Sequence, residues 1–380
     1  MIDKCIKLQE ASVMGILQPI WDGTFVYQEP ICFSADKDGR PIGGTLLYHP
    51  EEILSVTSFD GSVFYQPERD YTVKGRQLVR TEASHIPYLE RSVYCKPFTG
   101  VQETAWVRLP GGKTYMEVVS DVYRWQTLVT YTHTDKWEGF RPEACSASLP
   151  RGMEMLRAGR DFHLTFYGDS ITAGWEASGC NERAIDMVTL GEYHVSLWHA
   201  PYQPAWAELV TNALQARYPQ SNVIKTNRAA GGSTMQWGVE HAAELVAPSK
   251  PDLVILGFGM NSMQESAEDY RHAILSIIHA IRKDCSDCEF VLVSPMIPNP
   301  EIKGFQNNQL SAQQDVLYQI ATELEGVCAA PVHSVFREMT ARGKRYLELT
   351  GNCINHPNDF SIRVYAQTVL RTLGADERDE

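Results

Sequence analysis

Four short blocks of this 380-residue chain each set a reactive side chain on a turn. In Gly168-Asp169-Ser170-Ile171-Thr172-Ala173-Gly174, a serine hydroxyl sits between the apolar run Leu164–Tyr167 and a helix start, where main-chain N–H groups can face a developing negative charge. Asn227-Arg228-Ala229-Ala230-Gly231-Gly232-Ser233-Thr234 follows a second run, and its paired glycines let the backbone approach a ligand or turn with positive φ. Gly257-Phe258-Gly259-Met260-Asn261-Ser262 follows a third and offers a side-chain amide. Asn355-His356-Pro357-Asn358-Asp359 holds an imidazole in extended, pre-proline backbone beside the start of a last helix. Singly, each block also reads as ordinary structure: a capping serine, a tight helix entry, a turn asparagine, a capped turn. Jointly they supply a nucleophile, two oxyanion donors and a base, the set that acyl transfer through a covalent intermediate needs.

Such residues need a scaffold that brings four distant turns to one place. From about residue 150, strand-like runs (Leu164–Tyr167, Val223–Thr226, Leu253–Leu256, Phe290–Val293 and Val327–Val332) alternate with amphipathic helices. Trp206, Leu209, Val210, Ala213 and Leu214 share one helical face, as do Tyr270, Ile274, Ile277, Ile278 and Ile281, and Ile362, Ala366, Val369, Leu370 and Leu373. This alternation predicts an α/β fold with a mostly parallel sheet, helices on both faces, and a site at the carboxyl ends of the strands. Earlier in the chain, Thr24–Tyr27, Thr45–Tyr48, Ile53–Thr57, Gln77–Arg80, Thr104–Arg108 and Trp125–Tyr131 are separated by glycine-containing turns, which predicts an antiparallel β-sandwich. The expected division is 1–145 as a jelly-roll-like accessory β-sandwich and 146–380 as the catalytic domain.

The four blocks resemble those of the SGNH (GDSL-type) hydrolase superfamily, which contribute Ser, Gly, Asn and His; the matching positions are Ser170, Gly232, Asn261 and His356. The likeness covers about residues 150–375. It implies a flavodoxin-like sheet and ester hydrolysis in which Ser170 attacks and His356 takes and returns the proton. The Ser170 N–H, Gly232 N–H and Asn261 amide would hold the oxyanion. Two positions depart from the pattern: Ser262 follows Asn261 where Asp is frequent, and Cys353 stands three before His356, where the family carries the acid that orients the imidazole. Carbohydrate acetylesterases of the superfamily with a β-sandwich ahead of the catalytic domain look similar, using a main-chain carbonyl in place of that acid. That likeness implies a Ser170–His356 dyad, with Glu348 and Asp359 the nearest carboxylates in sequence. Together with Trp175, Trp198, Tyr202, Trp206 and Trp237 near the expected cleft, it points to removal of O-acetyl groups from a carbohydrate. The rivals are a lipase or thioesterase on longer acyl chains and a catalytically weak glycan-binding protein.

Composition narrows the partners. Lys+Arg 34 against Asp+Glu 47 gives a net charge of −13, which disfavours nucleic acid and anionic membrane surfaces. No apolar run reaches membrane-spanning length, Met1–Glu10 lacks the apolar stretch of a secretion signal, and nine scattered cysteines do not form a disulfide pattern, so the expected location is cytoplasmic. Cys285-x-x-Cys288 is expected as a helix-to-strand turn and Asp36-Lys37-Asp38-Gly39 as a hairpin turn; His194 and His199 with Trp198 lack a third metal ligand. No nucleotide-binding fingerprint occurs. The expectation is therefore no cofactor and no metal, with a small-molecule or oligosaccharide ester as partner and the oligomeric state open.

Overall fold

The computed structural model describes residues 16–97, 107–108, 114–116, 122–180, 199–302 and 304–376. Short strands dominate the first part: β1 (Phe25–Ile31), β2 (Ser34–Ala35), β3 (Pro41–Ile42), β4 (Glu52–Ser58), β5 (Tyr71–Lys74), β6 (Gln77–Arg80), β7 (Cys95–Pro97), β8 (Val107–Arg108), β9 (Thr114–Met116) and β10 (Thr127–Thr132). β10 pairs antiparallel with β1 on one side and β4 on the other, with Val129 and Tyr131 buried. β2–β3 and β5–β6 are hairpins, and β7-β9-β8 is a further antiparallel sheet. The β2–β3 turn is the expected one: Asp36 Oδ1 accepts the N–H groups of Asp38 and Arg40, each at 2.8 Å.

The expected strand Thr45–Tyr48 does not form. Thr45 makes a single bridge to Gln77, and Leu46, Leu47 and Tyr48 are buried in irregular chain. Their N–H groups donate to Arg76 O (2.8 Å), Glu29 Oε1 (2.9 Å) and the Tyr131 hydroxyl (3.3 Å). Buried side-chain acceptors replace most of a neighbouring strand, and an apolar run looks the same in sequence either way. Of the run Thr104–Arg108, only Val107–Arg108 lies within the described residues, as β8.

The second part is a five-stranded parallel sheet built from β11 (Asp161–Gly168), β12 (Asn222–Asn227), β13 (Leu253–Gly257), β14 (Glu289–Val293) and β15 (Val327–Ala330), in the order β12-β11-β13-β14-β15. Strand alternation sends Leu253, Ile255, Val291 and Val293 to one face and Val254, Leu256, Phe290 and Leu292 to the other. Helices Trp206–Arg217 and Asp359–Thr372 cover the first face, and Met235–Leu245, Ala267–Arg282 and Leu310–Glu323 the second. The cluster on the first face is continuous with the buried residues of the β-rich part, including Trp21, Tyr48, Val129 and Tyr131. The last strand stops at Ala330, short of the expected Val332, because Pro331 has no N–H for the ladder and the helix Val332–Ala341 begins behind it. Cys285 and Cys288 lie in the expected turn, with Cys288 N–H donating to Cys285 O at 3.0 Å.

This topology places the site. β11 lies between β12 and β13, and the register sets Phe166 against Asn227 and Gly168 against Gly257. The loops leaving these three strands therefore emerge side by side, as expected where strand order reverses in an α/β sheet. Among the described residues, no helix is long and apolar enough to cross a membrane.

Candidate active site

The chain leaves β11 at Gly168, where an added Cβ would lie 2.2 Å from Gly257 O and 2.3 Å from Thr172 Oγ1, so only glycine permits this approach of the two strand ends. Asp169 caps the next turn, its Oδ1 accepting Ile171 N–H at 3.0 Å, and the helix Ser170–Ala173 closes at Gly174 with φ +93°. Trp206 braces this turn from the core by donating Nε1–H to Ile171 O at 2.8 Å. It is fully buried and does not wall a cleft, contrary to expectation.

Gly232 adopts φ +75°, a left-handed conformation that glycine allows without strain, and open space lies where a side chain would be. Ser233 Oγ contacts Ala230 O at 2.8 Å and Gly168 O at 3.2 Å, tying this loop to the end of β11. Asn261 follows Gly259 on the turn Met260–Ser262, is exposed, and donates from Nδ2 to Ser233 O at 2.9 Å. Ser262, where the resemblance led one to look for Asp, accepts Met235 N–H at 3.0 Å, and its carbonyl accepts Gln313 Nε2–H at 2.9 Å. Its role here is to hold the start of the next helix. The structure thus brings Gly232 and Asn261 beside one another.

His356 comes from the far end of the chain. Its Nε2 lies 2.7 Å from Ser170 Oγ, and its ring packs against Trp175 with centroids 5.4 Å apart. The Trp175 ring fills the space over Gly231, where a Cβ would meet it at 2.2 Å. The other ring nitrogen, Nδ1, faces Asn352 Nδ2 at 2.7 Å, in place of the main-chain carbonyl expected there. Asn352 went unrecognised in the sequence; its one signal is a turn-forming asparagine after Gly351, four residues before the histidine.

Neither nearby carboxylate reaches the imidazole. Glu348 is fully buried on the short helix Tyr346–Leu349, where it accepts Cys32 N–H at 3.1 Å and Arg345 N–H at 3.0 Å. Asp359 opens the last helix behind the cap Asn358 and accepts Ser178 N–H at 2.9 Å. Cys353 has φ +63° and is buried in an apolar cluster with Cys32, Leu89, Leu347 and Ile354, surroundings that would penalise an acid at this position.

Burial alone pushes the His356 imidazole down to about 4, so it is neutral at pH 7 and carries the lone pair that a base requires. Burial also raises the Asp169 carboxyl to about 7 against the N–H donors around it, and Glu176 to about 8, with Glu176 Oε2 left unpartnered. Of the other aromatics expected at the cleft, Trp237 stacks on His241 at 4.5 Å, Tyr202 is exposed, and Trp198 lies outside the described residues, as does His194. His199 stacks on Tyr123 at 4.3 Å. Among the described residues, no group of three or more His, Cys, Asp or Glu is placed to hold a metal ion.

No curated protein matches the chain. Among solved structures, a two-domain esterase active on acetylated mannans is similar at 20% identity and TM-score 0.45, over 61% of this chain and 54% of that one. The acetylxylan esterase Axe2 from Geobacillus stearothermophilus is similar at 20% identity and TM-score 0.44, over 57% and 96%. The hydrolase LAE5 from the metagenome of Lake Arreo, Spain, is similar at 19% and 0.43, over 57% and 97%. The chain spans about half the length of the first of these, 54%. The model of the GDSL-like lipase/acylhydrolase family matches residues 166–360, from within β11 to the first turn of the last helix, a span that encloses Ser170, Gly232, Asn261 and His356. With the parallel sheet, three of the four blocks at its strand ends and the fourth before the last helix, that match places this chain in the GDSL-like lipase/acylhydrolase family.

Proposed function

We propose that the protein is a serine esterase that removes O-acetyl groups from a carbohydrate by way of an acetyl-enzyme. The observation that carries this reading is the 2.7 Å contact between Ser170 Oγ and His356 Nε2 at the carboxyl edge of the sheet. Ser170 Oγ attacks the ester carbonyl while its proton passes to Nε2; the sugar alkoxide leaves with that proton; water, deprotonated by His356, then releases acetate. The main-chain N–H groups of Ser170 and Gly232 and the Asn261 amide take the oxyanion. Residues 146–380 carry this chemistry in our reading, and residues 1–145 form the accessory β-rich unit beside it. A small acyl group is favoured because the Trp175 indole packs over Gly231 and against His356, occupying space that a longer chain would need.

The test is acetate release from a panel of acetylated oligosaccharides, with p-nitrophenyl esters of rising length beside it. Turnover is expected to fall by about tenfold or more from acetyl to butyryl and to vanish by octanoyl, since each methylene without room costs about 1–3 kcal/mol. Rates that rise with chain length would establish the lipase or thioesterase reading instead.

A second expectation concerns the oxyanion. Asn261→Ala should lower kcat about 10²-fold with KM within a few-fold, because a donor aimed at the developing charge acts mainly in the transition state. A change confined to KM would make Asn261 a substrate-binding residue.

A further inference from the structure

A neutral imidazole carries one ring proton, and the partners of its two nitrogens decide which one holds it. At His356 the partner of Nδ1 is unambiguous. Asn352 Oδ1 accepts the backbone N–H groups of Ile354 (2.9 Å), Asn355 (3.0 Å) and His356 (3.1 Å), while Nδ2 faces His356 Nδ1 at 2.7 Å and Asn355 Oδ1 at 3.3 Å. Turning the amide over would aim Nδ2 at three N–H donors, so hydrogen bonding determines its orientation. The loop is held as well: Gly351 N–H donates to His356 O at 3.0 Å, Thr350 bridges to Pro357, and Asn299 Nδ2–H donates to Cys353 O at 2.8 Å.

An N–H pointing at Nδ1 requires a lone pair there, which leaves the ring proton on Nε2, directed at Ser170 Oγ. A base for Ser170 needs the reverse, a lone pair on Nε2 and the proton on Nδ1, and that arrangement sets Nδ1–H against the Asn352 N–H. Granted the Ser170–His356 reading above, we propose that Asn352 is a positioning residue that holds His356 of the ligand-free enzyme in its unreactive tautomer, so that each turnover draws on the minor one. In a Ser-His-Asp triad, exchanging the acid for its amide leaves the geometry intact and costs about 10⁴-fold in kcat for this reason. Here the amide is native. The titratable groups on the segments packed around His356 are Asp169, capping the Ser170 turn; Glu176, whose carboxyl lies over Gly351; and Asp359, bonded to Ser178 N–H. Burial raises all three, and burial alone lowers His356.

The experiment is Asn352→Asp, in which one carboxylate oxygen keeps the three backbone N–H groups and the other accepts Nδ1–H. We expect kcat on p-nitrophenyl acetate at pH 8 to rise by about tenfold or more, since the reactive tautomer becomes the major one. The acid limb of kcat/KM, near pH 4 in the wild type, should move up by about one pH unit or more, because a carboxylate stabilises the imidazolium. The readout that a merely structural asparagine would not share is the tautomer of the free wild type. Nitrogen-15 spectra of histidine-labelled protein, with the His356 signals assigned by their loss in His356→Gln, should show Nε2–H in the free wild type and Nδ1–H in Asn352→Asp. Nδ1–H in the free wild type overturns the proposal whether or not the variant folds. A reversed tautomer in a folded variant with no gain in kcat overturns it too. Failure of the esterase reading shows separately, as acetyl-ester turnover that survives Ser170→Ala.

Discussion

Ser170→Ala and His356→Ala are each expected to lower kcat on p-nitrophenyl acetate by about 10³-fold or more, and the double substitution by nearly the same factor. A serine hydroxyl is a poor nucleophile until a base takes its proton, and His356 Nε2, 2.7 Å away, is the group positioned to do so. Removing either partner therefore removes one shared step, and the second removal has little left to cost. The factor is set below the roughly 10⁶-fold loss of a full triad because the wild type works from the minor tautomer of His356. Steady-state kinetics on the four proteins, with circular dichroism to establish that each is folded, gives the answer. Losses that multiply in the double variant would separate the two residues into independent roles and end the dyad. A fluorophosphonate probe should label Ser170 in the wild type and leave Ser170→Ala unlabelled.

Lys344→Met should destabilise the fold by about 3–5 kcal/mol, the cost of leaving a buried charge without its partner. Lys344 is fully buried and donates from Nζ to Glu29 Oε1 at 2.9 Å, Pro30 O at 2.6 Å and Thr45 O at 3.2 Å, with Glu348 Oε2 at 3.9 Å. Glu29 lies on β1, 315 residues earlier in the chain, and is likewise fully buried. Methionine fills the space of the lysine stem but carries no charge, so Glu29 is left with the Tyr131 hydroxyl (2.6 Å) and Leu47 N–H (2.9 Å). Urea unfolding of wild type, Lys344→Met and Glu29→Gln/Lys344→Met measures the effect. The double variant should recover a large part of the loss, because an apolar and neutral pair removes both charges at once. A loss below about 1 kcal/mol in the single variant would show that water reaches this cluster and screens it.

The positions of Ser170, Gly232 and Asn261 at three adjacent strand ends were legible in the sequence. Period-2 and period-3.6 patterning marked the strands and helices, and the turn residues marked where each strand must stop. Parallel strands in an α/β sheet then leave little freedom about which ends converge. Gly232 was legible for the same local reason, since it takes the left-handed backbone that paired glycines allow, whereas the collision that requires Gly168 is with Gly257 O on the neighbouring strand. Thr45–Tyr48 marks the limit of that logic, since a buried run supported by Glu29 and Tyr131 has the composition of a strand without being one.

What tertiary structure alone decided is which polar groups face one another. Glu348, in a stretch whose alternation suits a solvent-facing strand, is buried because Lys344, Arg345 and the Cys32 N–H surround its carboxylate. Trp206 stood by its periodicity on the apolar face of a helix and by its type at a cleft; the structure keeps it in the core, and only there does its indole find Ile171 O. The encounter of Asn352 with His356 spans only four residues, yet it depends on Cys353 taking φ +63° and on its side chain entering an apolar cluster built from distant segments. Local propensity does not signal a left-handed cysteine; the energy that holds it comes from those long-range contacts and from the Asn299 amide on Cys353 O. Sequence therefore determined the elements and the strand-end placement of Ser170, Gly232 and Asn261, through short-range periodicity and turn chemistry. The proton's place on the imidazole was left to contacts that exist only once the chain has closed.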